Sequence, residues 1–82
     1  MATVHEAARR NDVEALRRLL DEDPGLVEAE DRYYNSRPLH LACEAGAKEA
    51  ACLLLDQGAA IDARDNRGKT PLMRACEAGR AE

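Results

Sequence analysis

Aromatic side chains are nearly absent from this sequence of 82 residues, which contains two tyrosines, no phenylalanine and no tryptophan. Valine and isoleucine are also scarce, with four residues between them. Because β-branched and aromatic residues are the ones enriched in strands, this composition disfavours a β-sheet. The remaining apolar residues are mainly alanine and leucine, which are strong helix formers. The composition therefore predicts an all-α domain with a modest core.

Other absences narrow the class of protein. No apolar run comes near the ~20 residues that span a bilayer, so we expect no membrane partner. The net charge of −4 lacks the basic excess of nucleic-acid-binding domains, so we expect no nucleic-acid partner either. The three cysteines include no CxxC pair. Their odd number favours an intracellular location, cytoplasmic or nuclear, over a secreted disulfide framework.

The sequence repeats itself with a period of 33 residues. Residues 38–46 read PLHLACEAG, residues 71–79 read PLMRACEAG, and a weaker copy at residues 4–11 reads VHEAARRN. Proline in the first turn and glycine after the last turn mark the ends of a helix, and Asn11 can replace that glycine. Each copy therefore predicts a short first helix, near Val4–Arg10, Pro38–Ala45 and Pro71–Ala78.

A second helix is predicted after each of the first two copies, near Asp12–Asp21 and Lys48–Gln57. The first helices have about eight residues, which is too short for a helix to be stable alone. Stacking of neighbouring units must stabilise them, so the fold class is an all-α solenoid of helix-turn-helix units joined by β-hairpin-like loops. We expect one domain over residues 1–82, with a capping unit (1–30), a full unit (31–64) and a partial unit (65–82).

These motifs resemble those of the ankyrin-repeat family, whose period is also about 33 residues. The segment from Arg37 to Ile61 is similar to a nearly complete repeat. The last copy resembles the family signature, with methionine in place of the usual histidine. The residues that carry this resemblance are Gly68-x-Thr70-Pro71-Leu72-Met73-x-Ala75-Cys76-x-x-Gly79.

The sequence departs from the family pattern at several places. Arg37 stands where the family has a threonine that ties the turn to the helix start. The loop between Asp31 and Pro38 is one residue longer than the one between Asp65 and Pro71, which is an insertion in the hairpin finger. Glu6 and Arg18 replace leucines in the first unit, which is typical of a polar capping repeat.

The ends of the sequence carry two expectations. Met1 directly precedes the first short helix, which suggests a genuine N-terminus. The last unit stops at Glu82, inside its expected second helix, so we expect the natural protein to be longer.

The resemblance implies that a protein partner binds the hairpin tips and the concave surface of the first helices. On this sequence, those positions are Arg9, Arg10, Arg32, Tyr33, Tyr34, Asn35, Ser36, Glu44, Ala45, Asn66, Arg67, Lys69, Glu77 and Ala78, with Arg64 at the base of the last finger. The two tyrosines are the only aromatic residues, so at least one is a candidate interface anchor. The alternative is that one packs over the hairpin base and the other is incidental.

Charge divides between two sides of the predicted solenoid. Residues 1–11, 31–45 and 64–78 carry eight basic and five acidic side chains, whereas the other segments carry four basic and eleven acidic ones. The finger side is therefore expected to be basic, and an acidic protein segment is the predicted ligand because arginine binds carboxylates bidentately. The alternative is that these arginines only face solvent or pair with neighbouring glutamates.

We expect no enzyme, no cofactor and no metal site. His40 and Cys43 lie three residues apart on one helix, but a structural zinc site needs about four ligands and the other candidates lie on other helices. The resemblance implies instead that His40 braces its own turn and that Cys43 belongs to the core. No phosphate-binding loop, GxSxG or HExxH motif is present in the sequence.

Two functions remain after these exclusions. The first prediction is a protein-interaction module, non-catalytic itself, within a larger protein. The alternative is a structural cap of a longer solenoid, or a segment that dimerises through the Leu72 and Cys76 side of the last unit. The expected oligomeric state is accordingly a monomer or a weakly self-associating chain.

Overall fold

The computed structural model of the protein describes residues 3–79, which form five short α-helices and, within this range, no β-strand. A short 3₁₀ turn at Pro24–Glu28 follows the second helix. The expected start of a further helix near Glu82 lies outside the described residues. The helices are α1 (Val4–Arg9), α2 (Val13–Glu22), α3 (Pro38–Ala45), α4 (Lys48–Asp56) and α5 (Pro71–Glu77).

The predicted helices are confirmed, and each end lies within one residue of its predicted position. Side chains that cap the first turns explain the starts: Thr3 accepts from the Glu6 backbone N–H at 3.1 Å, and Asp12 accepts from the Ala15 N–H at 3.2 Å. Left-handed residues explain the tight loops between paired helices. Gly46 has φ 73° after α3, and Asn11 adopts φ 58° after α1.

The core lies between stacked helix pairs, α1–α2 and α3–α4, with α5 packed on the far side of α3. Small alanines let the helices approach closely, and leucines from α2 and α4 fill the space behind them. The all-α solenoid is therefore confirmed for the described residues. The residues with the least exposure in this core are Ala7, Ala8, Leu16, Leu20, Leu39, Ala42, Ala50 and Leu54.

Two hairpin fingers project from one end of the stack, the first at residues 31–36 and the second at residues 65–69. The Asp31 backbone N–H donates to the Ser36 carbonyl at 2.9 Å, and the Asp65 N–H donates to the Lys69 carbonyl at 2.9 Å. The first finger has one residue more than the second. It turns through Asn35, which has φ 55° and takes the place that Gly68 has in the second finger.

An aspartate carboxylate organises each finger from inside. One oxygen of Asp31 accepts from the backbone N–H groups of Tyr33, Tyr34 and Ser36, at 3.1–3.2 Å. One oxygen of Asp65 accepts from the N–H groups of the second finger's tip and base, both at 2.9 Å. These bonds replace the strand pairing that such short hairpins lack.

Histidines at equivalent positions of the repeat tie the first helices to the fingers. The ring of His40 is fully buried; its Nδ1 accepts from the Arg37 N–H at 3.1 Å and its Nε2 donates to the Lys69 carbonyl at 2.9 Å. His40 thus braces its own turn, as expected, and also holds the second finger. His5 Nε2 lies 2.8 Å from the Ala29 carbonyl and 3.0 Å from that of Ser36, below the first finger.

The finger carboxylates should make stability sensitive to acid. Burial by itself raises the pKa of Asp31 and Asp65, but the backbone N–H donors outweigh it, so both pKa values lie below the ordinary 3.8. The unfolded chain therefore takes up protons first as the pH falls, and stability present above about pH 4 is lost below it. Asp31→Asn and Asp65→Asn should lower stability at neutral pH and flatten its decline in acid. Urea unfolding across this range measures both effects, and the exposed Asp62→Asn should change neither.

Candidate protein-binding surface

The two tyrosines occupy the tip of the first finger and are held in place by the second. Tyr33 is 75% exposed and Tyr34 is 45% exposed. The backbone N–H of Asn66 donates to the Tyr34 carbonyl at 2.7 Å, and its side-chain amide donates to the Tyr33 carbonyl at 3.3 Å. The Arg67 guanidinium lies over the Tyr34 ring, 4.4 Å from its centroid. The fingers therefore present both rings to solvent from a fixed backbone.

Five of the eight basic residues of this side fall into two groups. Arg10 pairs with Glu6 at 3.6 Å, and Lys69 pairs with Glu77. Three exposed arginines form no ion pair with any residue of the range 3–79, and they lie around the tyrosines: Arg9, Arg32 and Arg67. The alternative that these basic residues only pair with neighbouring glutamates therefore holds for Arg10 and Lys69. It does not hold for the three arginines around the tyrosines.

A cleft of about 450 Å³ separates the tyrosine finger from the end of α3. A neighbouring hollow of about 600 Å³ shares part of its wall and brings in Arg32. We call the exposed tyrosines and arginines that border these two spaces or the Tyr34 ring the Tyr/Arg surface: Arg9, Arg32, Tyr33, Tyr34 and Arg67. The residues that line the cleft itself are Arg9, Asp31, Tyr33, Tyr34, Leu41, Glu44, Ala45 and Arg74.

Ser36, predicted as part of the binding surface, is buried in the structure, with 0% exposure. Its hydroxyl accepts a hydrogen bond from Arg74 Nη1. Ser36 therefore lies beneath the surface as a support for the first finger, whereas its expected neighbour Asn35 is exposed and bonds to Glu30 at 3.2 Å.

Arg74 is the residue that the sequence analysis missed. It occupies the repeat position of Leu41, and its side chain is only 5% exposed. Nη2 donates to Glu44 at 2.7 Å and Nη1 lies 3.4 Å from the buried carboxylate of Asp65. A charge at an apolar position of the repeat was the available signal. Arg74 thereby joins both fingers and the end of α3.

The remaining candidates sit where the repeat places them. Glu44 and Glu77 are exposed on the last turns of α3 and α5, and Glu77 faces Lys69. Ala45 is half-buried in the cleft, whereas Ala78, its equivalent one unit later, is exposed. Arg64 donates to the Gly68 carbonyl at 3.1 Å, at the base of the second finger.

Comparison with known proteins decides the family. The model of the family described as ankyrin repeats, in three copies, matches residues 4–82. The chain belongs to the ankyrin-repeat family. Ankyrin repeats are non-catalytic modules that generally mediate protein–protein interaction, and the first function prediction is confirmed at that level.

Three relatives show the setting of similar ankyrin repeats. The chain is 40% identical over 93% of its length to probable E3 ubiquitin-protein ligase XBOS32 from Oryza sativa subsp. japonica, and covers 15% of that protein. It is 45% identical over 79% of its length to serine/threonine-protein kinase VIK from Arabidopsis thaliana, again covering 15%. It is 40% identical over 90% of its length to the B-cell lymphoma 3 protein homolog from Mus musculus, and covers 17% of that protein. The matched repeats are thus small parts of larger relatives.

An apolar groove lies between α4 and α5, with a volume of about 470 Å³, and shares Ala45 with the lining of the cleft. Leu55, Ile61 and Leu72 border it, and Leu72 is 62% exposed. Ala75 of the same helix is buried, whereas Leu72 and Cys76, on the side predicted for dimerisation, are exposed.

The described residues were also compared with the requirements of a membrane span, a metal site and a disulfide. In the range 3–79, no helix has the length and hydropathy needed to cross a membrane. The same range holds no group of three or more histidine, cysteine, aspartate or glutamate side chains able to bind a metal. All three cysteines are free thiols, and burial raises the pKa of Cys43.

Arg74 should contribute more to stability than any exposed ion pair of this surface. Arg74→Met leaves the buried Asp65 carboxylate without its cationic partner, so we expect a loss of about 3 kcal/mol in the free energy of unfolding. Lys69→Met breaks only the exposed pair with Glu77 and should cost less than about 1 kcal/mol. Urea denaturation of the two variants measures the contrast. Equal losses would contradict the supporting role of Arg74.

Proposed function

We propose that this ankyrin-repeat chain binds an acidic segment of a protein partner on the Tyr/Arg surface. One observation carries the proposal: Arg9, Arg32 and Arg67 surround the exposed tyrosines without an ion-pair partner in residues 3–79. Carboxylates of a partner can therefore bind these guanidinium groups without displacing an internal one.

The tyrosines supply the second half of the recognition. Tyrosine buries a large apolar ring while its hydroxyl stays hydrogen-bonded, and it loses little side-chain entropy on binding. The hydrogen bonds from Asn66 fix the backbone at Tyr33 and Tyr34 before the partner arrives. A surface organised in advance keeps more of its contact energy as affinity.

The relatives support a role as one part of a larger protein. Each named relative is at least about six times longer than the region that this chain matches, as the coverage of 15–17% implies. In such a setting the repeats hold a partner near another domain, whose activity this chain does not supply. An intracellular location, cytoplasmic or nuclear, fits the three free thiols.

Charge reversal on the Tyr/Arg surface should weaken binding of a short, labelled peptide rich in aspartate and glutamate. We expect Arg9→Glu/Arg32→Glu to weaken its affinity at least about tenfold, because two attractive contacts become repulsive. Arg17→Glu/Arg18→Glu is the matched control, since it changes the net charge equally on the exposed face of α2. Fluorescence anisotropy gives both dissociation constants.

The same assay contains two results that would contradict the proposal. Affinity for the acidic peptide should fall as salt rises from about 0.05 to 0.5 M, because exposed charge pairs are screened. Salt-independent binding would show that the arginines do not hold the ligand. Equal losses in the two double variants would show that only the total charge matters.

A second function is favoured by the apolar groove between α4 and α5. Leu55, Ile61 and Leu72 are large apolar side chains exposed side by side, which is unusual for a surface without a partner. A structural cap, or self-association through this groove, would cover them. None of the five residues of the Tyr/Arg surface lines this groove, so this function is compatible with ligand binding on the fingers.

Sedimentation equilibrium tests self-association directly. If the groove joins two copies, the weight-average mass should rise with concentration from the micromolar to the millimolar range. Leu72→Glu should then hold the chain as a monomer, because it places a charge in the apolar contact. Ala78→Glu adds the same charge at an exposed position outside the groove and is the control. A monomer at every concentration eliminates the dimer.

A further inference from the structure

The cleft between the tyrosine finger and α3 is lined by four charged residues and by four residues with apolar or aromatic side chains. The side chain of Leu41, which is buried, forms part of the lining, with Ala45 from the end of the same helix. The rings of Tyr33 and Tyr34 border it from the finger. Its volume of about 450 Å³ lies within the range of clefts that hold small ligands, roughly 300–1,000 Å³.

The acidic groups of the cleft are engaged by groups of the chain itself. One Asp31 oxygen accepts three backbone N–H bonds, which hold the pKa of this carboxyl below its ordinary value despite burial. Glu44 accepts from Arg74 at 2.7 Å. Neither carboxylate therefore draws a cation into the cleft strongly.

Arg9 is the lining residue whose charge has no counter-ion in the described part of the chain. It lies at the side of the cleft that opens toward the hollow containing Arg32, since both spaces share it. A partner's cation would meet this charge unfavourably, whereas a carboxylate beside the cleft would meet it favourably. Charge complementarity thus favours an apolar side chain in the cleft with an acidic residue next to it.

We infer that the cleft is the anchor pocket for one aliphatic side chain, of leucine or isoleucine size, that lies next to an aspartate or glutamate in the partner segment. The inference rests on the proposed function and identifies the partner residue that makes the binding specific. Acidic neighbours bind the arginines, and the aliphatic anchor enters between Tyr33, Leu41 and Ala45. An acidic segment without such an anchor binds by charge alone.

Three labelled peptides with identical acidic flanks test the anchor, with leucine, serine or lysine at one central position. Leucine and serine leave the peptide charge unchanged, so their difference isolates apolar contact. Burying most of a leucine side chain contributes on the order of tenfold in affinity, and the open cleft should give about fivefold over serine. The lysine peptide should bind most weakly.

A matched pair of variants locates the effect. Ala45→Gln places a larger, polar side chain in the lining of the cleft, so it should reduce the affinity of the leucine peptide toward that of the serine peptide. Ala60→Gln makes the same change at an exposed alanine outside the cleft and should preserve the difference. Circular dichroism shows whether both variants keep their helices.

Methyl signals give a second measurement that needs no variant. The leucine peptide should shift the NMR methyl signals of Leu41, and the serine peptide should not. The methyl groups of Leu54, a residue of α4 that is buried in the core, serve as the internal reference.

The outcomes separate this inference from the function beneath it. Equal binding of leucine and serine peptides, tighter binding of lysine, or an Ala45→Gln variant that keeps the leucine preference overturns the anchor alone. Failure of all three peptides to bind overturns the acidic-ligand function, and the anchor with it.

Discussion

The buried imidazole of His40 is the link on which the arrangement of both fingers depends. A first helix of eight residues cannot hold its own shape, and the ring fixes the helix start through Nδ1 and the next finger through Nε2. His5 makes the corresponding contact one unit earlier. Because both ring nitrogens are used inside the protein, the position of each finger follows directly from helix stacking.

The Tyr/Arg surface is held rigid by that imidazole and by one buried charge. Arg74 joins Ser36 of the first finger, Asp65 of the second and Glu44 of α3. A leucine, as at the equivalent position 41, would pack well but could not hold two fingers at once. Burying a guanidinium costs solvation energy, and the buried Asp65 offsets part of it. The molecule thus trades some stability of its core for a fixed distance between the tyrosine finger and its neighbour.

The repeat made the fold predictable, because its proline, glycine and histidine positions each have one local structural consequence. Helix ends came within one residue, and Asn11 took the left-handed conformation expected of it. The site was less predictable. Sequence spacing places Ser36 on a finger but does not show that the side chain points inward, and it does not reveal which arginines find an acidic partner. Those outcomes depend on side-chain packing between units, as Arg74 demonstrates. The unit boundaries after residues 30 and 64 stay a prediction.

The proposed acidic ligand must approach a chain whose net charge is −4, and the range of electrostatic forces explains how it can. Most acidic residues lie outside the finger and first-helix segments, and the molecule measures 31 × 23 × 22 Å. At physiological salt the Debye length is about 8 Å, so charges across the molecule are largely screened from a ligand at the fingers. The ligand then interacts mainly with Arg9, Arg32 and Arg67, because the attraction of these nearby charges is stronger than the screened repulsion from the net charge of the chain. The ion pairs that form within the chain, rather than its net charge, therefore determine whether this surface attracts an acidic or a basic partner.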